Sequence, residues 1–434
     1  MRIEACFDSH VHWAGTGEFF ARLRLEDLSR PEGILNLKPE PHHFRGDWLL
    51  GFGWNENLWN SIPHRRVLDE WMPNVPVALS RCDGHALWVN SEALRRAGLL
   101  DTTEGHGAKG GRVERDVDGS PTGVLVDHAM DLVQVHIPPV SAFELRRHLL
   151  KAVQIFNEAG FTHIRDMTCD EAQWNEAVHL DESGLLTLAV EEYFRLSDIS
   201  KLEEQIELAR RARAQATQNL RVMGLKLFLD GALGSEGAWI SRCYQGRDHQ
   251  GLVLWDLMEL EEVLLQCWQK ELHVAVHVIG DEAADQLIRV AVHLKDKGYQ
   301  GKLHLEHAEI LRTETISRMK GLQVQCHLQP AHWLSDRNWL RDKVGDLSEL
   351  AFPWRRLQEA AVPFDFGSDA PIEPASISRT LRALNLSAEH GVPRLLGSPQ
   401  SHMGHPDLAW APNSYTLLDE DRPSQVVFRG EHLL

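Results

Sequence analysis

The stretch ACFDSHVHWAGTG, residues 5–17, sets His10 and His12 one residue apart behind Asp8 and a short apolar lead-in. An isolated His-x-His says little in a chain of 24 histidines. It gains meaning from the apolar run Ile3 to Phe7, which reads as a strand ending at the histidines, and from the runs that follow. These are GFTHIRDMT (160–168), LLTLAVEEYF (185–194), LRVMGLKLFLDG (220–231), LHVAVHVIGD (272–281), GKLHLEHAE (301–309), GLQVQCHLQP (321–330) and AVPFDFGSDAP (361–371). Helix-like segments separate them, such as SAFELRRHLLKAVQIFNEAG, closed by Gly160, and DEAADQLIRVAVHLKDKG, with Ala284, Leu287, Ile288 and Ala291 at helical spacing. Eight strand-like runs alternating with helices predict an α/β protein built on a (β/α)8 TIM barrel. An open doubly wound sheet is the competitor, but no GxGxxG follows an early strand.

Between the first two runs lies a large insertion, about residues 18–140, with apolar runs of its own and a hairpin pattern, GGRVERDVDGSPTGVLV, turning at Asp118-Gly119. Residues 1–400 therefore read as the barrel with its insertion. Residues 401–434, with PDLAWAP and SQVVFRGEHLL, read as C-terminal strands of a reduced accessory β domain.

Composition narrows the function. Forty-three per cent hydrophobic residues suffice for a large core, and no apolar run approaches a membrane span. A net charge of −18 speaks against a nucleic-acid surface. Six scattered cysteines without a CxxC pair exclude a zinc ribbon and a disulfide framework. The opening residues lack the features of a secretory signal. The expectation is a soluble cytoplasmic protein with a small-molecule partner, with neither nucleic acid nor membrane; a homo-oligomer is left open.

Barrel enzymes build their sites at the C-terminal ends of the strands. Those ends carry Asp8-His10-His12, Arg165-Asp166, Glu192, Lys226-Asp230, His277-Asp281, Glu306-His307, Gln329 and Asp369. Imidazole and carboxylate suit zinc and similar divalent ions, and a lysine among apolar neighbours must pair, lose its proton or be modified. Each residue has a plainer reading. His277 or His307 could be packing, Asp369 a turn residue, Asp230 the anchor of a Gly-rich turn and Asp281 a helix cap. The tryptophans of GFGWNENLW, with Trp88, suggest an apolar pocket wall or ordinary core.

The order His-x-His, Lys, His, His, Asp on strands one, four, five, six and eight resembles the amidohydrolase superfamily. DSHVH, DGHALWVNSEAL, LKLFLDGALGS, VAVHVIGDEA, LEHAE, QP and FGSDAP point to its YtcJ-like branch, which includes N-substituted formamide deformylases; the likeness spans about residues 6–375. The resemblance implies one or two divalent metal ions, zinc foremost. His10, His12 and Asp369 would hold one, and His277 and His307 the other, with Lys226 bridging as a carbamate. Asp369 would move the proton, and His85 would contact substrate or its oxyanion. It implies a metal-dependent hydrolase of C–N bonds other than peptide bonds, acting on amide or formamide-like molecules. Members also carry N-terminal strands in the accessory domain, and this chain begins at what reads as the first barrel strand, so that half is expected to be reduced or truncated. Two other functions compete: a Schiff-base enzyme using Lys226, which leaves the histidines unexplained, and a catalytically degenerate barrel serving binding or regulation.

Overall fold

The computed structural model describes residues 1–59, 61, 63–82, 86–102, 111–127 and 129–434. His85 lies outside the described residues. The chain forms two compact units, one of residues 1–16 with 149–434 and the other of residues 17–148.

In the first unit eight parallel strands stand side by side in chain order: Phe7–Val11, His163–Cys169, Ala189–Arg195, Leu220–Phe228, His273–Val278, Leu303–His307, Val324–Leu328 and Phe364–Phe366. The last returns to the first, with Asp369 N donating to His10 O and His12 N to Ala370 O, both at 2.8 Å. This is the predicted barrel, closed where residues after strand eight meet the His-x-His. Gly367 permits that approach, since a Cβ there would lie 2.6 Å from His10 N.

The first run divides differently from the sequence reading. Arg2–Glu4 leaves the barrel and pairs antiparallel with Tyr415–Asp419, in a four-stranded sheet completed by Arg422–Phe428 and Glu431–His432. Ala5, at φ 45°, breaks the run, and the barrel strand begins at Phe7. Burial explains the split: Phe7–Val11 is buried throughout, whereas Arg2 and Glu4 are exposed around a buried Ile3. The accessory sheet thus includes one short N-terminal strand of three residues, in keeping with a reduced accessory domain. PDLAWAP is not a strand. It forms turns, held by Trp410, whose Nε1 donates to Gln218 O at 3.2 Å.

The second unit holds a mixed sheet in the order Leu23–Arg24, Trp48–Trp54, Val77–Arg81, Ala86–Val89, Pro121–Asp127, Gly111–Arg115, with Phe44–Arg45 also pairing with Trp48–Trp54. The predicted hairpin joins the last two strands, with Gly119 at φ 84° and Asp118 Oδ1 accepting from Ser120 N. Trp54, Trp59 and Trp88 meet one another with ring centroids 5.9–6.4 Å apart inside the core. They are packing, not a pocket wall. No helix among the described residues is long and apolar enough to cross a membrane.

Candidate metal centre

Alternation along strand one sends Asp8, His10 and His12 toward one side, and barrel closure carries Asp369 to meet them. Asp369 Oδ1 lies 3.0 Å from His12 Nε2 and 3.3 Å from His10 Nε2. Its Oδ2 lies 3.5 Å from Nε2 of His332. Among the described residues, two groups of three have ligand atoms within 4.8 Å of one another: His10, His12 and Asp369, and His307, His332 and Asp369. Asp369, at φ 63°, and His307, at φ 70°, adopt left-handed backbone, strain of the kind that gathers at working sites.

The predicted residues do not all converge equally. His277 belongs to neither triad; its Nε2 is 3.4 Å from Gly231 O and 3.7 Å from Asp230 Oδ1, although its ring centroid is only 4.5 Å from that of His307. Lys226 is fully buried, its Nζ 4.3 Å from the centre of the Phe228 ring and without a hydrogen-bond partner. Burial pushes that amine down to about 8, against the pull of Glu306 and Asp369.

A supporting layer fixes the ligand atoms. Glu306 Oε2 is 2.6 Å from His10 Nδ1, and its Oε1 accepts from Arg165 Nη1 at 2.7 Å. Burial alone would raise Glu306, but Arg165, His327 and His10 hold its carboxyl well below the usual range. The carboxylate therefore accepts a hydrogen bond from His10 Nδ1–H and turns Nε2 toward Asp369. Gln329 Oε1 does the same for His307 Nδ1 at 2.9 Å, its own amide nitrogen donating to His327 O. Burial keeps His307 well below its ordinary value and brings His277 to about 3, so both imidazoles are neutral near pH 7. Asp369 stays ionised despite burial, because His10, His12 and His332 surround it.

Asp230 is a latch. Its carboxylate accepts from the backbone N–H groups of Trp239, Ile279 and Gly280 at 2.8–3.1 Å, pinning the Gly-rich turn beneath His277. Asp281 does not cap its helix; it accepts from Ser241 N and Oγ and from Arg312 Nε instead. His332 is the residue that sequence reasoning missed. It sits in the first turn of Pro330–Asp336, three residues past Gln329, its Nδ1 3.3 Å from Glu309 Oε1.

A model described as the amidohydrolase family matches residues 5–400. The chain belongs to the amidohydrolase family. YtcJ of Bacillus subtilis (strain 168), an amidohydrolase by name, is 31% identical over 385 residues, 85% of this chain and 70% of that protein. An N-substituted formamide deformylase of Arthrobacter pascens is 25% identical over 77% of this chain and 64% of its own length. An uncharacterized metal-dependent hydrolase from Pyrococcus horikoshii OT3 shares the fold at TM-score 0.72 and 22% identity, covering 90% of this chain and 76% of that one. This amidohydrolase therefore carries its family's barrel, and its kinship supports hydrolysis as the reaction class.

Proposed function

We propose that this amidohydrolase uses divalent metal, zinc foremost, to cleave C–N bonds other than peptide bonds in small amide or formamide-like molecules. The observation that carries the reading is the convergence of His10, His12 and Asp369, of which His10 Nε2 and Asp369 Oδ1 are buried without a hydrogen-bond partner. Polar atoms so placed are costly unless something binds them. Two imidazoles beside an ionised carboxylate form a donor set that fits a divalent ion. His307 and His332 would hold a second ion with Asp369, and His277 stands beside them; His332 must then give up the proton that Asp369 and Glu309, against its burial, favour. Bound metal would supply Lewis acidity toward the scissile carbonyl and acidify the attacking water.

The chain's own residues account for the remaining work. Asp369 accepts a proton from the attacking water and returns it to the leaving amine. Glu306 and Gln329 hold His10 and His307 in the tautomers the site needs. Lys226, with its amine near 8, has a neutral fraction able to attack carbon dioxide. Nitrogen then bonds to carbon, one N–H proton leaves to water, and an anionic carbamate replaces a buried cation. His85, part of the same reading, is assigned to the substrate side.

The test is a panel of N-substituted formamides and simple amides, assayed with zinc- and manganese-loaded protein alongside elemental analysis. The expected result is amine release that follows metal content and disappears in Asp369→Asn. Turnover by metal-free protein would overturn the mechanism, and ligand binding without turnover would favour a binding or regulatory barrel. Carbon-13 bicarbonate should give a carbamate resonance absent from Lys226→Ala. A borohydride-trappable adduct on Lys226 would favour the Schiff-base enzyme.

A further inference from the structure

The unit of residues 17–148 contains a cavity of ≈ 260 Å³ that the hydrolase reading does not use. One wall is a face of its sheet, formed by Leu50, Ala78, Ser80 and Leu87, where Leu50 pairs with Ala78 and Ser80 with Leu87. Ile137 and Pro138 add apolar surface from the segment after the helix Asp131–Gln134. Two arginines, Arg22 and Arg45, line it as well, with Gln134.

Both arginines are held from behind. Arg22 Nη2 and Arg45 Nη2 donate to the same oxygen, Glu18 Oε1, at 2.6 and 2.7 Å. Glu18 lines the neighbouring cleft and not this cavity. Two guanidinium groups thus share one carboxylate oxygen, with Glu144 the other carboxylate of that neighbouring cleft. Arg22 Nε is buried and has no partner. A guanidinium has five N–H donors in a planar fork that suits a carboxylate, and a buried donor left unpaired is costly. An apolar wall with a few fixed polar groups is the usual make-up of a small-molecule site, and this volume, just under the usual range, suits a small ligand.

We infer that this cavity is a binding site for a small monoanionic carboxylate with a compact apolar body, its carboxylate on Arg22 and Arg45 and its body against Leu50, Leu87 and Ile137. The assignment is independent of the metal centre. The probe is benzoate, titrated calorimetrically into the full chain against benzamide and benzylammonium, with metal-loaded and metal-stripped protein. Benzoate should bind equally well to both preparations, at least tenfold more tightly than either comparison compound. Arg45→Met should weaken benzoate at least tenfold with an unchanged circular dichroism spectrum. Ser80→Leu, which fills the cavity and spares the arginines, should do the same and serves if Arg45→Met does not fold. Glu18→Gln, which frees the forks, should tighten binding. Equal affinity for benzamide, or benzoate affinity unchanged in Ser80→Leu, overturns the assignment. So does affinity lost in His12→Ala, which would place benzoate at the metal centre. None of these readouts depends on turnover.

Discussion

Replacing Glu306 by glutamine removes one charge from a place where two side chains depend on it. Glu306 is fully buried between His10 Nδ1 at 2.6 Å and Arg165 Nη1 at 2.7 Å. Both neighbours present N–H groups, so a carboxylate can accept from both at once. A glutamine amide offers a single acceptor oxygen, and its NH2 must then face a donor. If the oxygen stays with Arg165, His10 must shift its proton to Nε2, which takes the lone pair away from the metal site. If it goes to His10, Arg165 loses its ionic partner while only 1% exposed, with its Nε and Nη2 already unpartnered. Breaking a buried pair in this way costs about 3–5 kcal/mol. Losing the group that orients a metal-ligating histidine lowers metal affinity roughly 10–100-fold. Urea unfolding of the metal-free protein reads the first effect, and competition with a chromogenic chelator reads the second. The double variant Glu306→Leu/Arg165→Met separates them. Exchanging a buried ion pair for apolar residues is often neutral, so stability should largely return while metal affinity stays low. A single variant within about 1 kcal/mol of the parent, with unchanged metal affinity, would refute the reasoning.

Other expectations follow from the same structure. Asp369→Asn and His12→Ala should each lower metal content and reduce turnover about 1,000-fold, as expected when several kcal/mol of electrostatic stabilisation are lost. His332→Ala should remove the second equivalent of metal by elemental analysis and leave the first in place; loss of both together would show that His332 supports Asp369 and does not bind metal. Glu18, which Arg22 and Arg45 hold near 2 against the effect of burial, should stabilise the fold fully above pH 4.5 and lose that contribution as pH falls toward 2. Because Glu18 is partly exposed, Glu18→Gln should cost only about 2 kcal/mol at neutral pH, and the gap in urea midpoint should close in acid. Gly160 at φ 97° and Gly298 at φ 92° make a matched pair, since a Cβ at 160 would lie 2.8 Å from Pro423 Cγ and one at 298 would meet nothing within 4 Å. Gly298→Ala should therefore cost about 1 kcal/mol of backbone strain, and Gly160→Ala about 2–3 kcal/mol, by thermal or urea unfolding.

The barrel was legible because each strand is a short apolar run ended by a polar residue, and that signal is local. His10, His12, His307 and Asp369 were legible for the same reason, since barrel closure brings strand ends together. The division of Ile3–Phe7 between two sheets was not. It turns on one left-handed residue, Ala5, and on partners more than 400 residues away at Tyr415–Asp419. The exposed-buried-exposed pattern of Arg2–Glu4 was the available hint, and three residues are too few to establish alternation. The hydrogen-bond roles of Glu306 and Arg165 were also hidden, because residue type and position give no measure of depth.

His332 shows where a strand-end rule stops. Chemistry in a barrel need not come from the last residue of a strand; it can come from the first turn of the segment that follows, where the chain bends back over the mouth. Pro330, as the first residue of Pro330–Asp336, starts that bend without sacrificing a needed N–H, and the turn it begins lifts His332 to within 3.5 Å of Asp369. The sequence QPAH holds that information, a helix-starting proline directly after a strand. His277 shows the converse. It lies one residue before the end of its strand, its Nε2 faces Gly231 O outside both triads, and its ring centroid is 4.5 Å from that of His307. Strand ends therefore delimit the neighbourhood of the candidate site, whereas the turns that follow and the hydrogen bonds that aim each ring set which ligand atoms lie close together.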